Sequence, residues 1–352
     1  MRAILTYTPQ ELREAFAQDG LEPFRASQVV RWIYGRGEHD FAAMSNLSRG
    51  ARGHLASRWS SRSLELEDAL ESSDGTRKLL LRTADGGRLE SVIIPEGERR
   101  TLCLSSQLGC SLDCPFCATG RLGLGRNLGA DEIVDQALHA RALLGRKAEK
   151  LTHVVFMGMG EPLLNLRNVV QAIRILTDPQ AGSLATRRIT VSTAGVVPRI
   201  EALGRAVRVR LAISLHATTD ALRDRLVPLN RRFPLASLLD ACRRFPLTRR
   251  DRISFEYALM KGVNDGQADA RRLVRLLHGL RAKVNLIPLN EHAASPYRRP
   301  SASVVEAFAE LLAAGGLTAT VRRSRGGDIL AACGQLGALA PDGQASSGRA
   351  VR

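Results

Sequence analysis

The chain has 352 residues, 44% of them hydrophobic, so it can bury a large core and is long enough for about two domains. Its 51 Lys and Arg residues against 35 Asp and Glu give a net charge of +16, which favours a polyanion such as RNA, DNA or a membrane surface over a small neutral partner. No apolar run of about 18 residues can span a bilayer, and six cysteines without a signal-peptide pattern favour a cytosolic protein over a disulfide framework.

The first 60 residues carry three short amphipathic patterns that predict a small helical unit. The helices are expected over residues 8–17, 27–34 and 48–59, and Thr8 is placed to cap the first of them. Residues 62–106 then change to an alternating apolar and polar pattern, which is typical of half-buried strands. Gly-containing segments at 73–75 and 85–87 interrupt this pattern and predict tight turns. A helical unit followed by a β-rich extension is therefore expected.

From about residue 130 the sequence alternates between strand-like and helix-like stretches. The predicted strands, separated by helices of roughly 10–16 residues, are 151–157, 187–193, 208–215, 252–259, 283–289 and 318–323. This spacing favours right-handed β-α-β units and a parallel sheet, either open or partly closed into a barrel. Functional side chains are then expected near the C-terminal ends of the strands.

Three closely spaced cysteines are the strongest chemical signal in the sequence. Cys110, Cys114 and Cys117 lie on one short loop after a predicted strand. Iron–sulfur clusters are held by Cys thiolates, and three ligands leave one iron open, as catalytic metal sites require. A structural zinc site that recruits Cys103 is the alternative, although zinc sites usually draw on two separated pairs and this sequence has a single Cys-x-x-Cys pair. A catalytic iron–sulfur site is therefore favoured.

The Cys motif resembles that of the radical S-adenosylmethionine (SAM) superfamily, and four segments resemble one family within it. They are TLCLSSQ at 101–107, FMGMGEP at 156–162, SLH at 214–216 and AACGQL at 331–336. The family is the RlmN-type dual-specificity RNA methyltransferases, and the resemblance runs from about residue 5 to residue 337. It implies an α/β fold with a partial (β/α)6 radical SAM barrel, one 4Fe–4S cluster and two SAM molecules per turnover. It also implies methylation of carbon 2 of adenine in 23S rRNA, in the peptidyl-transferase region, and in tRNA, next to the anticodon.

The sequence pattern and the family resemblance together predict the domains of the chain and its binding partners. The expected parts are an N-terminal helical accessory domain (1–60), a β-rich extension (61–95), a radical SAM core with a C-terminal cysteine loop (96–336) and a disordered tail (337–352). The expected partners are 23S rRNA, tRNA and an external electron donor of the flavodoxin type. We expect a cytoplasmic monomer that does not bind a membrane.

The resemblance assigns catalytic roles to two cysteines and one carboxylate. Carbon 2 of adenine is electron-poor, so the family carries the methyl group on a cysteine, here Cys333, and activates it with a 5′-deoxyadenosyl radical. After the methylene radical adds to carbon 2, Cys103 attacks the Cys333 sulfur and leaves a Cys103–Cys333 disulfide. Glu90 matches the acceptor of the ring proton. Without the resemblance, either cysteine can be a packing residue and Glu90 a solvated strand residue.

Residues at several predicted strand ends match the cofactor-contacting positions of the family. They are Gly160, Glu161, Ser192, Ser214, Leu215, His216 and Asn290. The glycines beside Glu161 allow close backbone approach, and Glu161 or nearby carbonyls can accept hydrogen bonds from the cofactor ammonium. Without the resemblance, this segment is an ordinary strand-to-helix turn and His216 is a packed histidine.

Arginine is the expected source of RNA contacts. Between residues 185 and 252 there are 15 Arg and five acidic residues, a surplus that suits phosphate contacts although no single Arg can be assigned. The segment 322–328 is predicted to be a mobile loop that delivers Cys333, and the helical unit either reads RNA shape or acts as a scaffold. Cys242 matches no motif and is expected to be structural.

Three other functions are weighed against this prediction. A Cfr-type enzyme shares both cysteines but methylates carbon 8; the proline of GMGEP and the IPEGER segment at 94–99 favour carbon 2. An RNA-binding ribosome assembly factor with structural zinc would have no catalytic role. A radical enzyme acting on a small molecule would bind RNA weakly.

Overall fold

The computed structural model describes residues 1–145 and 151–338, together with the backbone of Arg349–Ala350. The predicted disordered tail therefore lies mostly outside the described residues. Within them, no helix is long and apolar enough to cross a membrane.

The N-terminal unit contains three short helices, as predicted, and one small pair of parallel strands. Its elements in chain order are β1 (Arg2–Ala3), α1 (Pro9–Gln18), α2 (Phe24–Val30), α3 (Arg49–Arg58) and β2 (Trp59–Ser60). Thr8 caps α1: its hydroxyl accepts from the Glu11 N–H, and the Glu11 carboxylate accepts from the Thr8 N–H at 2.8 Å. The second helix is continued by a π-helical turn over Arg31–Arg36.

The middle of the chain forms antiparallel strands that lead into the barrel. Strands β3 (Leu64–Glu71), β4 (Arg77–Thr83), β5 (Arg88–Glu96) and β6 (Arg99–Cys103) pair in sequence order. Strands β7 (Gln107–Gly109) and β8 (Leu124–Asn127) form a separate ribbon that brackets the loop with the three cysteines. Strands β3 to β5 fall almost entirely within residues 61–95, where the sequence predicts strands, and β6 joins them to the parallel sheet.

The rest of the chain forms the parallel part of the sheet. Its strands are β9 (His153–Phe156), β10 (Ile189–Thr193), β11 (Arg210–Ser214), β12 (Ile253–Leu259), β13 (Ala282–Pro288) and β14 (Ala319–Val321). They pair in parallel in the order β14-β13-β12-β11-β10-β9, and β9 pairs in parallel with β6. Seven parallel strands therefore follow one another, because β6 joins the six that the sequence predicts. The predicted α/β fold is confirmed.

Helices connect these strands and cover the sheet. They are α4 (Ala118–Arg121), α5 (Ala130–Leu144), α6 (Leu166–Thr177), α7 (Val197–Ala206), α8 (Asp220–Leu226), α9 (Leu235–Arg244), α10 (Gln267–Leu277) and α11 (Ala302–Ala314). Every residue of β12 is buried, as expected for a central parallel strand that is covered on both faces. The backbone of Arg349–Ala350 (β15) pairs with β3 at the other edge. Since the strands are parallel, their C-terminal ends meet on one side, where the site lies.

Candidate active site

The loop with the three cysteines is held in a tight conformation beside the ribbon of β7 and β8. The Cys110 N–H donates to the Gly123 carbonyl at 2.7 Å, and the Cys117 N–H donates to the Cys114 carbonyl at 3.0 Å. Asp113 has a φ of +46°, which allows the sharp reversal between the first two cysteines. All three cysteines line one cavity of about 170 Å³.

The chemistry of this donor set fits a bound metal cluster. Burial raises the pKa of all three thiols, and the neighbouring thiolates of Cys117 and Cys110 raise that of Cys114 further. Three half-buried thiols on one short loop resist ionisation until a cation compensates their charge, and a metal deprotonates the thiol that coordinates it. The cysteines are thus placed to hold a cluster.

The ends of β9 to β13 supply the other walls of this cavity. Six of the seven predicted cofactor contacts line it: Gly160, Glu161, Ser192, Ser214, His216 and Asn290. The hydroxyls of Ser192 and Ser214 are 3.4 Å apart on neighbouring strands. Leu215 is fully buried and does not line the cavity; its N–H donates to the Glu256 carbonyl at 3.0 Å.

The segment after β9 needs its glycines in order to pack against the connection between β6 and β7. A Cβ on Gly158 would lie 2.7 Å from the Leu104 carbonyl oxygen, and Gly160 has a φ of +95°. Glu161 then points inward, where its carboxylate accepts from the Leu163 N–H at 3.0 Å and the Ala194 N–H at 2.8 Å. Burial raises the pKa of Glu161, and these bonds oppose that shift. The carboxylate therefore both ties β9 to β10 and faces the cavity.

His216 is a neutral residue that supports the cysteine loop. Its Nδ1 accepts from the Ala258 N–H at 3.0 Å, and its ring contacts Phe116 edge-on with centroids 4.9 Å apart. Burial lowers the pKa of His216 to about 3, so the imidazole carries no charge at neutral pH. Because Phe116 lies between Cys114 and Cys117, the ring helps to fix the geometry of those cysteines.

The C-terminal segment brings Cys333 into the same cavity. The Gly334 carbonyl accepts from the Ala118 N–H at 2.8 Å, and the Leu336 carbonyl accepts from the Thr119 hydroxyl at 2.7 Å. Asn290 donates to the Cys333 carbonyl at 3.0 Å. Three hydrogen bonds thus hold the C-terminal segment against the start of α4 and against the residues that follow β13.

Cys103 and Cys333 meet at a second, small cavity. Cys103 ends β6 and is buried, and both cysteines line a space of about 20 Å³. Burial raises the pKa of Cys103 to about 12; the nearby Cys333 adds to the shift and Arg322 opposes it. Both are free thiols in the structure. Cys333 therefore lies between the three-cysteine cavity and Cys103.

Comparison with known proteins agrees with this geometry. The Radical SAM superfamily profile matches residues 104–274, and the ribosomal RNA large subunit methyltransferase N-terminal domain profile matches residues 3–60. The dual-specificity RNA methyltransferase RlmN of Geotalea uraniireducens is 48% identical over 334 residues, covering 95% of this chain and 96% of the relative. That of Syntrophotalea carbinolica is 50% identical over 331 residues, or 94% and 88% of the two chains. The chain belongs to the RlmN family of radical SAM RNA methyltransferases.

The solved structure of a related protein has the same fold over nearly the whole of this chain. The crystal structure of a radical SAM methyltransferase from Sphaerobacter thermophilus has a TM-score of 0.92 and 45% sequence identity, covering 96% of this chain and 99% of that chain. The family identification removes the non-catalytic assembly factor and the small-molecule enzyme as alternatives.

No mononuclear metal site is found in the described part of this RlmN family member. Among residues 1–145 and 151–338, no three His, Cys, Asp or Glu side chains are placed to hold one metal ion. Ligands of a cluster bind different irons and need not converge on one point.

Glu90 lies beside the C-terminal segment but lines neither of the two cavities described above. One carboxylate oxygen accepts from the Gly337 N–H at 3.1 Å, and the other lies 3.4 Å from the Lys78 ammonium. Burial raises the pKa of Glu90, while Lys78 and the Gly337 N–H oppose that shift. Lys78 is itself buried, and no sequence pattern marks it as part of the site.

The segment 322–328, predicted to be mobile, is tied to the turn between β3 and β4. The Gly326 N–H donates to the Asp74 carboxylate at 3.1 Å, and the Ser72 hydroxyl donates to the Asp328 carboxylate at 2.6 Å. Its first residue, Arg322, lines both the cavity of the three cysteines and the small cavity of Cys103. Sequence reasoning placed Arg322 in this loop and did not single it out as a site residue.

Arg223 is a further residue of the site that the sequence does not reveal. Its fully buried guanidinium donates to the carbonyls of Ser214 and Leu215, both at 3.1 Å, and to the Ala194 carbonyl. It also donates to the Asn230 side chain at 2.9 Å. Arg223 thus fixes the ends of β10 and β11 from behind the cavity.

Replacing Arg223 by Met is expected to lower the free energy of unfolding by about 3–5 kcal/mol, because buried carbonyls lose their charged donor. Chemical denaturation of the purified protein measures this. Arg225, exposed on the same helix, provides the control: Arg225→Met should change stability by less than about 0.5 kcal/mol. Equal stability of the two variants would contradict the role given to Arg223.

Proposed function

We propose that this chain methylates carbon 2 of adenine in 23S rRNA, in the peptidyl-transferase region, and in tRNA, next to the anticodon. One observation carries the proposal: Cys333 lines both the cavity of the three cysteines and the small cavity that it shares with Cys103. A carrier between a radical source and a resolving thiol is what methylation of an electron-poor ring carbon requires.

The residues present suit the groups that the family implies. Cys110, Cys114 and Cys117 would hold a 4Fe–4S cluster, and Ser192, Ser214, Glu161 and Asn290 would hold SAM in the same cavity. When bound, the cluster and two SAM molecules per turnover supply a methyl group and a hydrogen-abstracting radical. The chain itself has to position the carrier, resolve the adduct and take up a proton.

Cys333 would first lose its proton and accept the methyl group on Sγ. This methyl group then loses a hydrogen atom and forms a bond with carbon 2 of the base. As the ring regains aromaticity, carbon 2 would give its proton to Glu90, and the cluster held by Cys110, Cys114 and Cys117 would supply the acceptor for the one electron that is released. The Cys103 sulfur then attacks the Cys333 sulfur; the C–S bond breaks, its electron pair stays with the methylene carbon, and that carbon takes up a proton.

The surroundings of Cys103 suit a resolving thiol. Burial raises its pKa to about 12, so the sulfur needs a nearby positive charge to form the thiolate that attacks Cys333. Arg322, which lines the small cavity, favours the Cys103 thiolate. Glu90 must leave the Gly337 N–H in order to reach the base, so we propose that the C-terminal segment moves during turnover.

We further propose the division into parts at 1–60, 61–95, 96–336 and 337–352, and a cytoplasmic monomer that is reduced by a flavodoxin-type donor. The helical unit, matched by the methyltransferase N-terminal domain profile, would contact the RNA. The net charge of +16 supports a polyanionic substrate.

Product analysis tests the function directly. Protein reconstituted with iron and sulfide without oxygen is incubated with SAM, a reductant and either unmodified ribosomal RNA or unmodified tRNA. We expect 2-methyladenosine from both RNAs after nuclease digestion and mass spectrometry. Formation of 8-methyladenosine would overturn the proposal and establish the carbon 8 reaction instead. The absence of any methylated adenosine would also overturn the proposal. A product from one RNA class alone would restrict the substrate range.

A further inference from the structure

The turn between β3 and β4 (residues 72–76), which we call the anchor turn, lies against the segment that carries Cys333. Both carboxylate oxygens of Asp328 contact this turn. One accepts from the Ser72 hydroxyl at 2.6 Å, and the other accepts from the Ser73 N–H at 3.2 Å. Hydrogen bonds to an ionised carboxylate are stronger than those between neutral groups. These two bonds join Asp328 to a turn that precedes it by about 256 residues in the chain.

A glycine lets the backbone of the same segment reach the anchor turn. Gly326 is buried and has a φ of +65°, a left-handed conformation that favours glycine. Its N–H donates to the Asp74 carboxylate at 3.1 Å. A Cβ at this position would lie 2.8 Å from the Thr76 methyl carbon and 2.9 Å from the Ala331 Cβ, closer than side chains approach one another. A larger residue would therefore push the segment off the anchor turn.

The anchored residues are linked closely to the position of Cys333. The Ala331 N–H donates to the Gly326 carbonyl at 2.8 Å and closes a compact loop. Within this loop Ile329 is fully buried, and Leu330 has a φ of +53°. A bulky residue keeps this left-handed conformation only when its surroundings enforce it. The loop is therefore held in one shape, and it ends two residues before Cys333.

Beyond this loop, the segment contacts the active site itself. The Gly334 carbonyl accepts from the Ala118 N–H at 2.8 Å. The Gly337 N–H donates to the Glu90 carboxylate at 3.1 Å. These bonds have to break if Cys333 moves during turnover. The hydrogen bonds of the anchor turn involve no residue that lines either cavity of Cys333, so they can persist while it moves.

We propose that the anchor turn is the fixed point about which Cys333 moves, and that Asp328 is a positioning residue for this cysteine. The turn holds the loop that ends at Ala331, so Cys333 moves on a short tether and stays near both Cys103 and the cavity of the three cysteines. This inference rests on the proposed function, to which it adds a role for the β-rich extension. A short tether raises the effective concentration of one group at another. The anchor turn therefore stabilises the disulfide between Cys103 and Cys333.

The stability of this disulfide tests the inference without RNA. Reconstituted protein is equilibrated without oxygen in mixtures of reduced and oxidised glutathione. The two thiols lose two electrons and two protons as they form the disulfide, and one oxidised glutathione becomes two reduced molecules. Alkylation of the remaining thiols, followed by mass spectrometry, gives the fraction of protein with the disulfide between Cys103 and Cys333.

Two variants disrupt the anchor in different ways, and a third is the control. Asp328→Ala removes the two carboxylate bonds to the turn, and Gly326→Ala adds the Cβ that clashes with it. Asp68→Ala also removes one negative charge from the same hairpin. Asp68 lies on β3, where it accepts from the Ala69 N–H, and among the described residues it has no hydrogen bond to the C-terminal segment. Unfolding midpoints confirm that each variant is folded under these conditions.

For each anchor variant we expect the equilibrium constant for disulfide formation to fall about tenfold, which raises the potential of the disulfide by about 30 mV. Asp68→Ala should stay within about twofold of the wild type. Unchanged constants in both anchor variants, or an equal loss in Asp68→Ala, would overturn the inference and leave the proposed function intact. Wild-type protein that forms no disulfide between Cys103 and Cys333 in any mixture would overturn the inference and also the resolving step of the proposed function.

Discussion

Replacing Cys333 by Ala is expected to abolish methylation of RNA, by more than about a thousandfold, without loss of the cluster. Among the described residues, Cys333 is the one thiol that lines both the cavity of the three cysteines and the small cavity of Cys103, so we expect no other thiol to carry the methyl group between them. The three cysteines of the loop remain, so iron content and cleavage of SAM to 5′-deoxyadenosine should persist. Mass spectrometry of digested RNA and iron analysis of the same preparation measure both effects.

Cys242 provides a matched control for this variant. It is a buried free thiol on α9 that lines neither of the two cavities that Cys333 lines, and Cys242→Ala should retain methylation. Loss of iron in Cys333→Ala would show that Cys333 is a cluster ligand rather than a carrier. Methylation at the wild-type rate in Cys333→Ala would refute the carrier mechanism.

Replacing Cys103 by Ala is expected to trap the enzyme on its RNA. The methylene carbon still joins Cys333 to the base, but no thiol remains in the small cavity to attack the Cys333 sulfur. Turnover should fall by about a thousandfold or more, while a covalent protein–RNA species accumulates to nearly one per active site. Denaturing gels of protein with labelled tRNA, with and without ribonuclease, measure this species.

The double variant with Ala at both Cys103 and Cys333 controls for nonspecific crosslinking and should form no adduct. Repeated turnover by Cys103→Ala at the wild-type rate would remove Cys103 from the mechanism. An adduct that persists in the double variant would place the covalent link on another residue.

The sequence can show that the three cysteines of the loop lie together, because the signal is local. Cys110, Cys114 and Cys117 lie within eight residues, so any compact loop brings them to one cavity. Strands such as β12 can also be predicted from the sequence, because a buried parallel strand needs a continuous apolar run. Strand β6 is harder to place, because it pairs antiparallel with β5 and parallel with β9, and a sequence pattern does not state its partners.

Other features of the site depend on tertiary contacts that cannot be inferred from the spacing of residues in the sequence. Arg223 has no motif, and its role arises only because three carbonyls from two strands surround it. Glu90 matches a family position, but its bonds to Lys78 and Gly337 follow from how the C-terminal segment docks. Leu215 was expected at the cofactor, and the structure buries its side chain away from the cavity.

The amino-acid sequence by itself determined the α/β fold, the grouping of three cysteines on one loop and the family, because each depends on short-range spacing or on segments that can be matched in order. Only the tertiary structure decided that Cys333 lines both the cavity of the three cysteines and the small cavity of Cys103, and that Arg223 holds the ends of β10 and β11 together. These arrangements join residues that are far apart in the chain. They are fixed by strand order, by the inward face of each strand and by the hydrogen bonds that dock the C-terminal segment, none of which is written in any one stretch of sequence.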